Sequence, residues 1–302
     1  MSNGNYVLEA LEIVKKYGDM VALDKVTVRV AYNEMFCLIG PNGAGKTTFI
    51  ESVLGLRKIN SGKIVWFGRE VKKRLPQDIA KSIGVVVENS RLIEGLTVEE
   101  NLKYVASLWG IKLRDEDLKK LLDFVGMREY YSKLYGSLSA GQRKRVEIAA
   151  SLVTEPRVII LDEPEANLDP VARVELMDIV KLLNKNDITV IYSTHVMEIA
   201  ARYSTKIAMI VKGKIVAYGD PYDIASIYGG KWTVMVRFRK PVEIDMVNVK
   251  GGEVVVELDN ILDAISLLMK LNTYANNIVS IVVEPPTLAK AFENIVKEVN
   301  HV

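Results

Sequence analysis

The amino-acid sequence predicts an α/β fold: a mainly parallel sheet with antiparallel strands near its start and a helical insertion, followed by a small C-terminal α/β unit. Three observations lead there. A strand-like apolar run over 35–39 passes through the turn Gly40-Pro41-Asn42-Gly43-Ala44-Gly45-Lys46-Thr47-Thr48 into a helical spacing that continues to Leu54. Short strand-like runs over 83–87, 158–161 and 189–193, the first two continuously apolar, are separated by segments of helical periodicity, the pattern of buried strands between helices. From about 97 to 135 the apolar residues keep helical spacing with no convincing strand.

In chain order, Val26, Val28 and Val30 alternate with Lys25, Thr27 and Arg29, and a similar strand is expected over 7–13, so the first strands pair antiparallel. Tyr17-Gly18 lies between them, an aromatic before a flexible turn residue; it could present a ring face to a base, and a loop tyrosine is the plainer reading. Ser61-Gly62 turns into a strand over 63–67, and the charge run Arg69-Glu70-Val71-Lys72-Lys73-Arg74 reads as a solvated face. The run over 83–87 ends at Glu88. Val98, Leu102, Val105 and Leu108, then Leu118, Leu121, Leu122 and Val125, carry the helical insertion, about 92–137. A helix follows Leu138-Ser139-Ala140-Gly141-Gln142, and Pro156 stops it. The strand over 158–161 delivers Asp162-Glu163-Pro164; Ala166-Asn167-Leu168-Asp169-Pro170 leads into the next helix; the strand over 189–193 ends beside His195. Lys212-Gly213 marks a hairpin turn. The pattern breaks near Tyr228-Gly229-Gly230, which sets the expected domains at 1–228 and 229–302. The second holds strands over 233–238, 253–258 and 278–283, a helix over 261–271, and a last helix after Pro285-Pro286.

The turn after the first buried strand fits the phosphate-loop pattern G-x-x-x-x-G-K-[ST] without a gap, in the strand-to-helix context that pattern requires, and reads as an ATP site. Its glycines let successive backbone N–H groups point at phosphate oxygens, and the following helix adds the positive end of its dipole. Lys46 then offers an ammonium to the outer phosphates, and Thr47 a hydroxyl to Mg²⁺, which keeps much of its own water. In a parallel sheet, ligands bind where strands end at their carboxyl edge, a rule that gathers the phosphate loop, Asp162, Glu163 and His195 into one crevice.

The chain has 302 residues, 49% of them hydrophobic, enough for one large packed domain and a small one. Lys plus Arg number 40 against 38 for Asp plus Glu, a balance that gives no general reason to expect nucleic acid as the main partner. The N-terminus lacks the apolar core of a signal peptide, and no uncharged run of 18 apolar residues occurs, so the chain is not expected to span a membrane. Cys37, the single cysteine, reads as a small core residue, and a cytosolic setting is expected.

With these motifs in order, residues 5 to 228 resemble the nucleotide-binding subunit of ATP-binding-cassette (ABC) transporters, a P-loop NTPase fold. LSAGQ at Leu138 to Gln142 is similar to the family signature LSGGQ, VIILDEP to its Walker B strand, and Ser193-Thr194-His195 to its switch histidine. The resemblance implies that Asn42, Gly43, Ala44, Gly45, Lys46, Thr47 and Thr48 cradle ATP and that Tyr17 stacks on adenine. It implies that Thr47, Glu88 and Asp162 attend the Mg²⁺, Asp162 through the waters around it. Glu163 would orient or deprotonate the attacking water, and His195 would contact the γ-phosphate. Lys46, Glu163 and His195 are thus the expected catalytic residues. Ser139, Gly141 and Gln142 would serve ATP bound to a second cassette, in a head-to-tail homodimer that ATP closes and hydrolysis releases. A separate transmembrane permease would hold the chain at the cytoplasmic face of the membrane.

Three departures from the family pattern stand out. Glu88 occupies the place of a glutamine, Ala140 that of a signature glycine, and Glu165-Ala166-Asn167 that of threonine-serine-glycine, the last removing a hydroxyl that helps the two sites communicate. Val283-Glu284-Pro285-Pro286-Thr287-Leu288 with Phe292 resembles the C-terminal end of cassettes serving drug, antibiotic, sodium or polysaccharide exporters; a packing module that stabilises the dimer is the plainer reading. The expected function is therefore an ATPase subunit driving export. The competing readings are a soluble cassette ATPase acting on ribosomes or DNA, and a nucleotide-binding regulator without turnover. Against the first, no second cassette or long coiled-coil insertion occurs; against the second, Lys46, Asp162, Glu163 and His195 are all present.

Overall fold

The computed structural model describes residues 5–87, 92–240, 242 and 252–301, without the side chains of 299–301. The chain divides into two compact units, 1–218 and 219–302.

The first unit holds two sheets. Strands β1 (Tyr6–Tyr17) and β2 (Met20–Ala31) pair antiparallel from Tyr6↔Ala31 to Tyr17↔Met20, and β4 (Ser61–Trp66) joins the other side of β1, with the two-residue β5 (Arg69–Glu70) at the edge. The alternation in β2 explains its placement: Val26, Val28 and Val30 are buried while Lys25, Thr27 and Arg29 are exposed, so one face packs and the other meets water. Trp66 closes the packed face, its buried indole N–H donating to the carbonyl of Val53 at 2.8 Å. The charge run at 69–74 supplies β5, whose two residues are exposed as a solvated edge should be.

The second sheet runs in the order β10-β9-β3-β8-β7-β6, with β3 (Met35–Ile39), β6 (Ile83–Val86), β7 (Val158–Asp162), β8 (Thr189–Thr194), β9 (Lys206–Val211) and β10 (Lys214–Gly219). The pairs β9/β3, β3/β8, β8/β7 and β7/β6 are parallel. Every residue of β3, β7 and β8 is buried, which is why β3 and the run from Val158 to Leu161 are continuously apolar rather than alternating. Register sets the site: Ile39 lies opposite Thr194, and Asp162 opposite Ser193, so β3, β8 and β7 end level with one another. Between the sheets, Phe49, Ile50 and Val53 of α1 (Lys46–Val53) join the common apolar core.

The helices are α2 (Gln77–Lys81), α3 (Val98–Leu108), α4 (Asp115–Phe124), α5 (Ala140–Ser151), α6 (Pro170–Lys185) and α7 (Met197–Tyr203). Thr97 caps α3 in a reciprocal box with Glu100, and Asp169 caps α6 ahead of Pro170, which satisfies first-turn N–H groups and fixes both starts. The segments entering and leaving α3 and α4 are laced together. Thr97 bridges Leu134, Val98 N–H donates to the Lys133 carbonyl at 2.9 Å, and Tyr135 N–H to that of Leu96 at 2.9 Å. Fully buried Asn101 adds amide bonds to the Ile93 and Thr97 carbonyls, both at 3.0 Å, and accepts the Ile93 N–H at 2.7 Å.

The second unit carries α8 (Pro221–Tyr228), α9 (Ile261–Leu271), α10 (Leu288–His301) and a three-stranded antiparallel sheet ordered β12-β11-β13, from β11 (Trp232–Phe238), β12 (Glu253–Leu258) and β13 (Ile278–Glu284). Val234, Val236, Phe238, Val254, Ala264 and Leu271 form its core. The division falls at 218/219 rather than 228/229 because α8 packs with α10: Asn294 Nδ2 donates to the Tyr228 carbonyl at 2.8 Å. Among the described residues no helix is long and apolar enough to cross a membrane.

Candidate functional site

The loop between β3 and α1 is shaped by packing as well as by openness. Gly45 sits at φ +111°, and a Cβ there would lie 2.7 Å from the Ala22 carbonyl oxygen, so only glycine lets the loop rest on β2. Asn42 and Gly43 are exposed, Ala44 is buried, and the Ala44 N–H donates to the Pro41 carbonyl at 3.2 Å. Gly45 is the N-cap of α1; no side chain caps that terminus and no acid lies in its first turn, so its donor groups and dipole are left to an anion.

Lys46 opens α1, yet its side chain is only 4% exposed. The ammonium donates to the carbonyls of Gly40 at 2.8 Å and Pro41 at 3.1 Å and pairs with Glu163 Oε1 at 3.0 Å. Thr47 is exposed beside it, and Thr48 is half-buried, its carbonyl accepting the Ser52 hydroxyl at 2.6 Å.

Facing Lys46 are the ends of β7 and β8. The Ser193 hydroxyl donates to Asp162 Oδ1 at 2.5 Å and accepts the Glu163 N–H at 3.0 Å, fixing both acids from one atom. Glu163 is left-handed at φ +46°, unusual for a residue with a Cβ. Its carboxylate is divided between two partners: Oε1 on Lys46, and Oε2 on His195 Nδ1 at 3.1 Å. Four expected residues, Lys46, Asp162, Glu163 and His195, are therefore joined across three adjacent strand ends.

The other expected residues lie apart from this cluster. Tyr17 ends β1, partly exposed, with the Lys15 ammonium 4.7 Å from its ring centroid. Ser139 caps α5, accepting the Gln142 N–H at 3.3 Å, and its own N–H donates to the Gln142 side-chain oxygen at 3.0 Å. Gly141 packs closely on Ala172 of α6: a Cβ on it would lie 3.2 Å from that methyl. No hydrogen bond joins Ser139, Gly141 or Gln142 to the phosphate loop among the described residues. Glu88 lies outside the described residues.

Sequence reasoning missed one member. Glu165 is 1% exposed and accepts a hydrogen bond from the Thr194 hydroxyl, which itself accepts the Val196 N–H at 2.9 Å. Burial pushes the Glu165 carboxyl above the ordinary carboxylate range, with neighbouring Glu163 adding to the rise. Its signal was the third acid in Asp162-Glu163-Pro164-Glu165 set against the hydroxyl pair Ser193-Thr194.

The site fits a magnesium nucleotide. An uncapped helix start, an adjoining ammonium and exposed loop residues suit phosphate oxygens. Thr47 and Asp162 are hard oxygen donors suited to Mg²⁺, and no cluster of three His, Cys, Asp or Glu that could hold a metal occurs among the described residues. Such a site takes its metal together with the phosphates.

A family model described as ABC transporter matches residues 23–166. The chain is 33% identical over 223 residues to the Escherichia coli "probable multidrug ABC transporter ATP-binding protein YbhF", a match covering 73% of this chain but 38% of that longer relative. It is 29% identical to the linearmycin resistance ATP-binding protein LnrL of Bacillus subtilis over 96% of this chain and 98% of that protein. It is 32% identical to the Nod factor export ATP-binding protein I of a Rhizobium species, over 79% of this chain and 82% of that protein. Among solved structures it superimposes on CbiO1 of Clostridium perfringens, part of the ABC transporter complex CbiONQ, with a TM-score of 0.67 and 29% identity over 73% of this chain and 90% of that one. With its phosphate loop, strand-end acids and histidine assembled on that shared fold, the chain belongs to the ABC transporter family as one of its ATP-binding cassettes.

Proposed function

We propose that this chain hydrolyses ATP to drive export through a separate membrane permease. The observation that carries the reading is the single carboxylate of Glu163 held between Lys46 and His195 at the level ends of β7, β3 and β8.

In this reading the loop from Asn42 to Thr48 binds the phosphates and Lys46 moves from Glu163 to the outer phosphate oxygens. Thr47 and Asp162, with Glu88, would attend Mg²⁺ bound together with the nucleotide, and the ion would supply charge neutralisation at those oxygens. Glu163 accepts hydrogen bonding from the attacking water and takes its proton; His195 steadies the γ-phosphate from the neighbouring strand. Tyr17 receives the adenine. Ser139, Gly141 and Gln142, which no hydrogen bond joins to this chain's own phosphate loop among the described residues, act on the nucleotide of a second cassette, and the same chain supplies that cassette. Export, rather than uptake, is supported by the names of the linearmycin resistance and Nod factor relatives, the former over nearly the whole length.

The permease surface is assigned to the apolar cavity of about 840 Å³ lined by Leu56, Ile83, Val85, Tyr104, Leu108 and Trp109, beside the helical insertion. Binding there places the chain at the cytoplasmic face of the membrane.

The test is Glu163→Gln. Phosphate release should fall by about 10²- to 10⁴-fold while ATP binding persists, and the variant loaded with Mg²⁺ and ATP should co-purify a polytopic membrane protein from detergent-solubilised membranes. Unchanged turnover overturns the role of Glu163; ribosomal proteins or DNA in place of a membrane protein overturn the transport reading.

A further inference from the structure

Three consecutive residues, the last two of β8 and the one after it, each bond by side chain to the end of β7 or the turn that follows it. Ser193 holds Asp162, Thr194 holds Glu165, and His195 meets Glu163. The first and third rungs involve residues the phosphate-loop chemistry uses. The middle rung does not, and it is buried deepest: Glu165 is 1% exposed and Thr194 fully buried.

We propose that Glu165 is a positioning residue for hydrolysis, clamping Thr194 so that His195 is presented to Glu163 in one fixed orientation; this rests on the ATP-hydrolysis reading above. The Thr194 hydroxyl makes two bonds at once. It donates to Glu165 and accepts the N–H of Val196 at 2.9 Å, closing a short turn around His195. Thr194, before the histidine, is thereby tied directly to Glu165, and Val196, after it, is tied to the same Thr194 hydroxyl. Glu165 in turn is rigidly placed, because the Leu168 N–H donates to its carbonyl at 3.3 Å and the Ala166 N–H donates to that of Glu163 at 3.0 Å. The result is a second bridge, beneath the Glu163–His195 contact, that sets the spacing of the two backbones.

A carboxyl here is costly. Glu165 Oε2 has no hydrogen-bond partner, and an apolar side chain would fill the same space without that penalty.

Glu165→Ala should lower kcat by roughly 10- to 100-fold, the penalty for a misplaced catalytic group, with ATP dissociation constant and KM within about two-fold of the parent. Glu165→Gln, whose amide oxygen still accepts the Thr194 hydroxyl, should restore most of the rate. The ring signals of His195 in ¹H–¹⁵N spectra should broaden or split in Glu165→Ala and stay single in Glu165→Gln. Thr194→Val, which breaks the same bond from the other side, should reproduce the Glu165→Ala result, and Thr194→Ser the parent's, so the idea is testable even if one variant folds poorly. A purely packing role predicts that Glu165→Met, which fills the same space but cannot accept the Thr194 hydroxyl, keeps the parent's kcat and an undisturbed His195 signal, and that outcome overturns the proposal. If the parent itself releases no phosphate, the hydrolysis reading fails, while the His195 spectra still decide the clamp.

Discussion

Gly45→Ala isolates how much of the phosphate loop's stability depends on contact with the neighbouring sheet. At φ +111° the residue lies well beyond the left-handed well near +57°, and an L-residue held in such a region costs about 1–3 kcal/mol. The added methyl would stand 2.7 Å from the Ala22 oxygen and 3.1 Å from Leu23 Cδ2, several tenths of an ångström inside contact with backbone. That backbone is held in place, since the Asp24 N–H donates to the Gly213 carbonyl at 2.9 Å. Overpacking of this kind adds about 1–3 kcal/mol. A total near 4 kcal/mol corresponds to a fall in Tm of roughly 8–16 °C for a unit of this size. Gly43→Ala is the control: it has φ +78° in the same loop, with nothing within 4 Å of the added carbon. It incurs only the backbone cost of about 1–2 kcal/mol, or roughly 2–8 °C. Scanning calorimetry of both variants on the full chain measures the difference. Equal losses of Tm would refute the steric argument and leave backbone conformation as the whole effect.

Ser193→Ala removes one hydroxyl that serves both the Glu163 N–H and Asp162, so it should destabilise by about 2–3 kcal/mol, lowering the urea midpoint with an unchanged m-value. Stability should also carry a pH signature from Glu165. Because burial raises its pKa above the ordinary 4.5, the folded chain keeps this proton at pH values where the unfolded chain has lost it. Its contribution is full below about pH 4.5 and declines as pH rises toward the folded pKa; urea titrations across that window should show the decline in the parent and its absence in Glu165→Gln.

Local pattern was enough to read most elements. The alternation at Val26, Val28 and Val30 and the unbroken run from Val158 to Leu161 each reflect how many faces of a strand are buried, and burial is what selects the residue types. Likewise Asp169-Pro170 announces a helix start because a cap and a proline act within one turn. The five-residue α2 was not legible, being too short to show a period. Nor was the strand order that sets β3 between β9 and β8, since pairing joins residues far apart in sequence. The motif residues Lys46, Asp162, Glu163 and His195 were legible as types. The division of Glu163 between two partners was not, because it depends on a register only the fold supplies. In sequence, Glu165-Ala166-Asn167 reads only as a departure that removes a hydroxyl, and the bond from Thr194 to Glu165 is one that no local pattern could announce.

The laced pair of segments around Thr97 and Leu134 has a consequence for how this architecture can be rebuilt. The chain leaves the parent body and returns to it across one antiparallel bridge, and the branch between also rests on the body where α3 and α4 pack on α5. A branch that keeps an apolar face for α5 can be lengthened or shortened without disturbing the register of either sheet, and doubling its length costs only about 0.6 kcal/mol of closure entropy. For protein engineering the stem is a grafting point: two cuts, next to Thr97 and Leu134, and a foreign segment whose ends lie side by side.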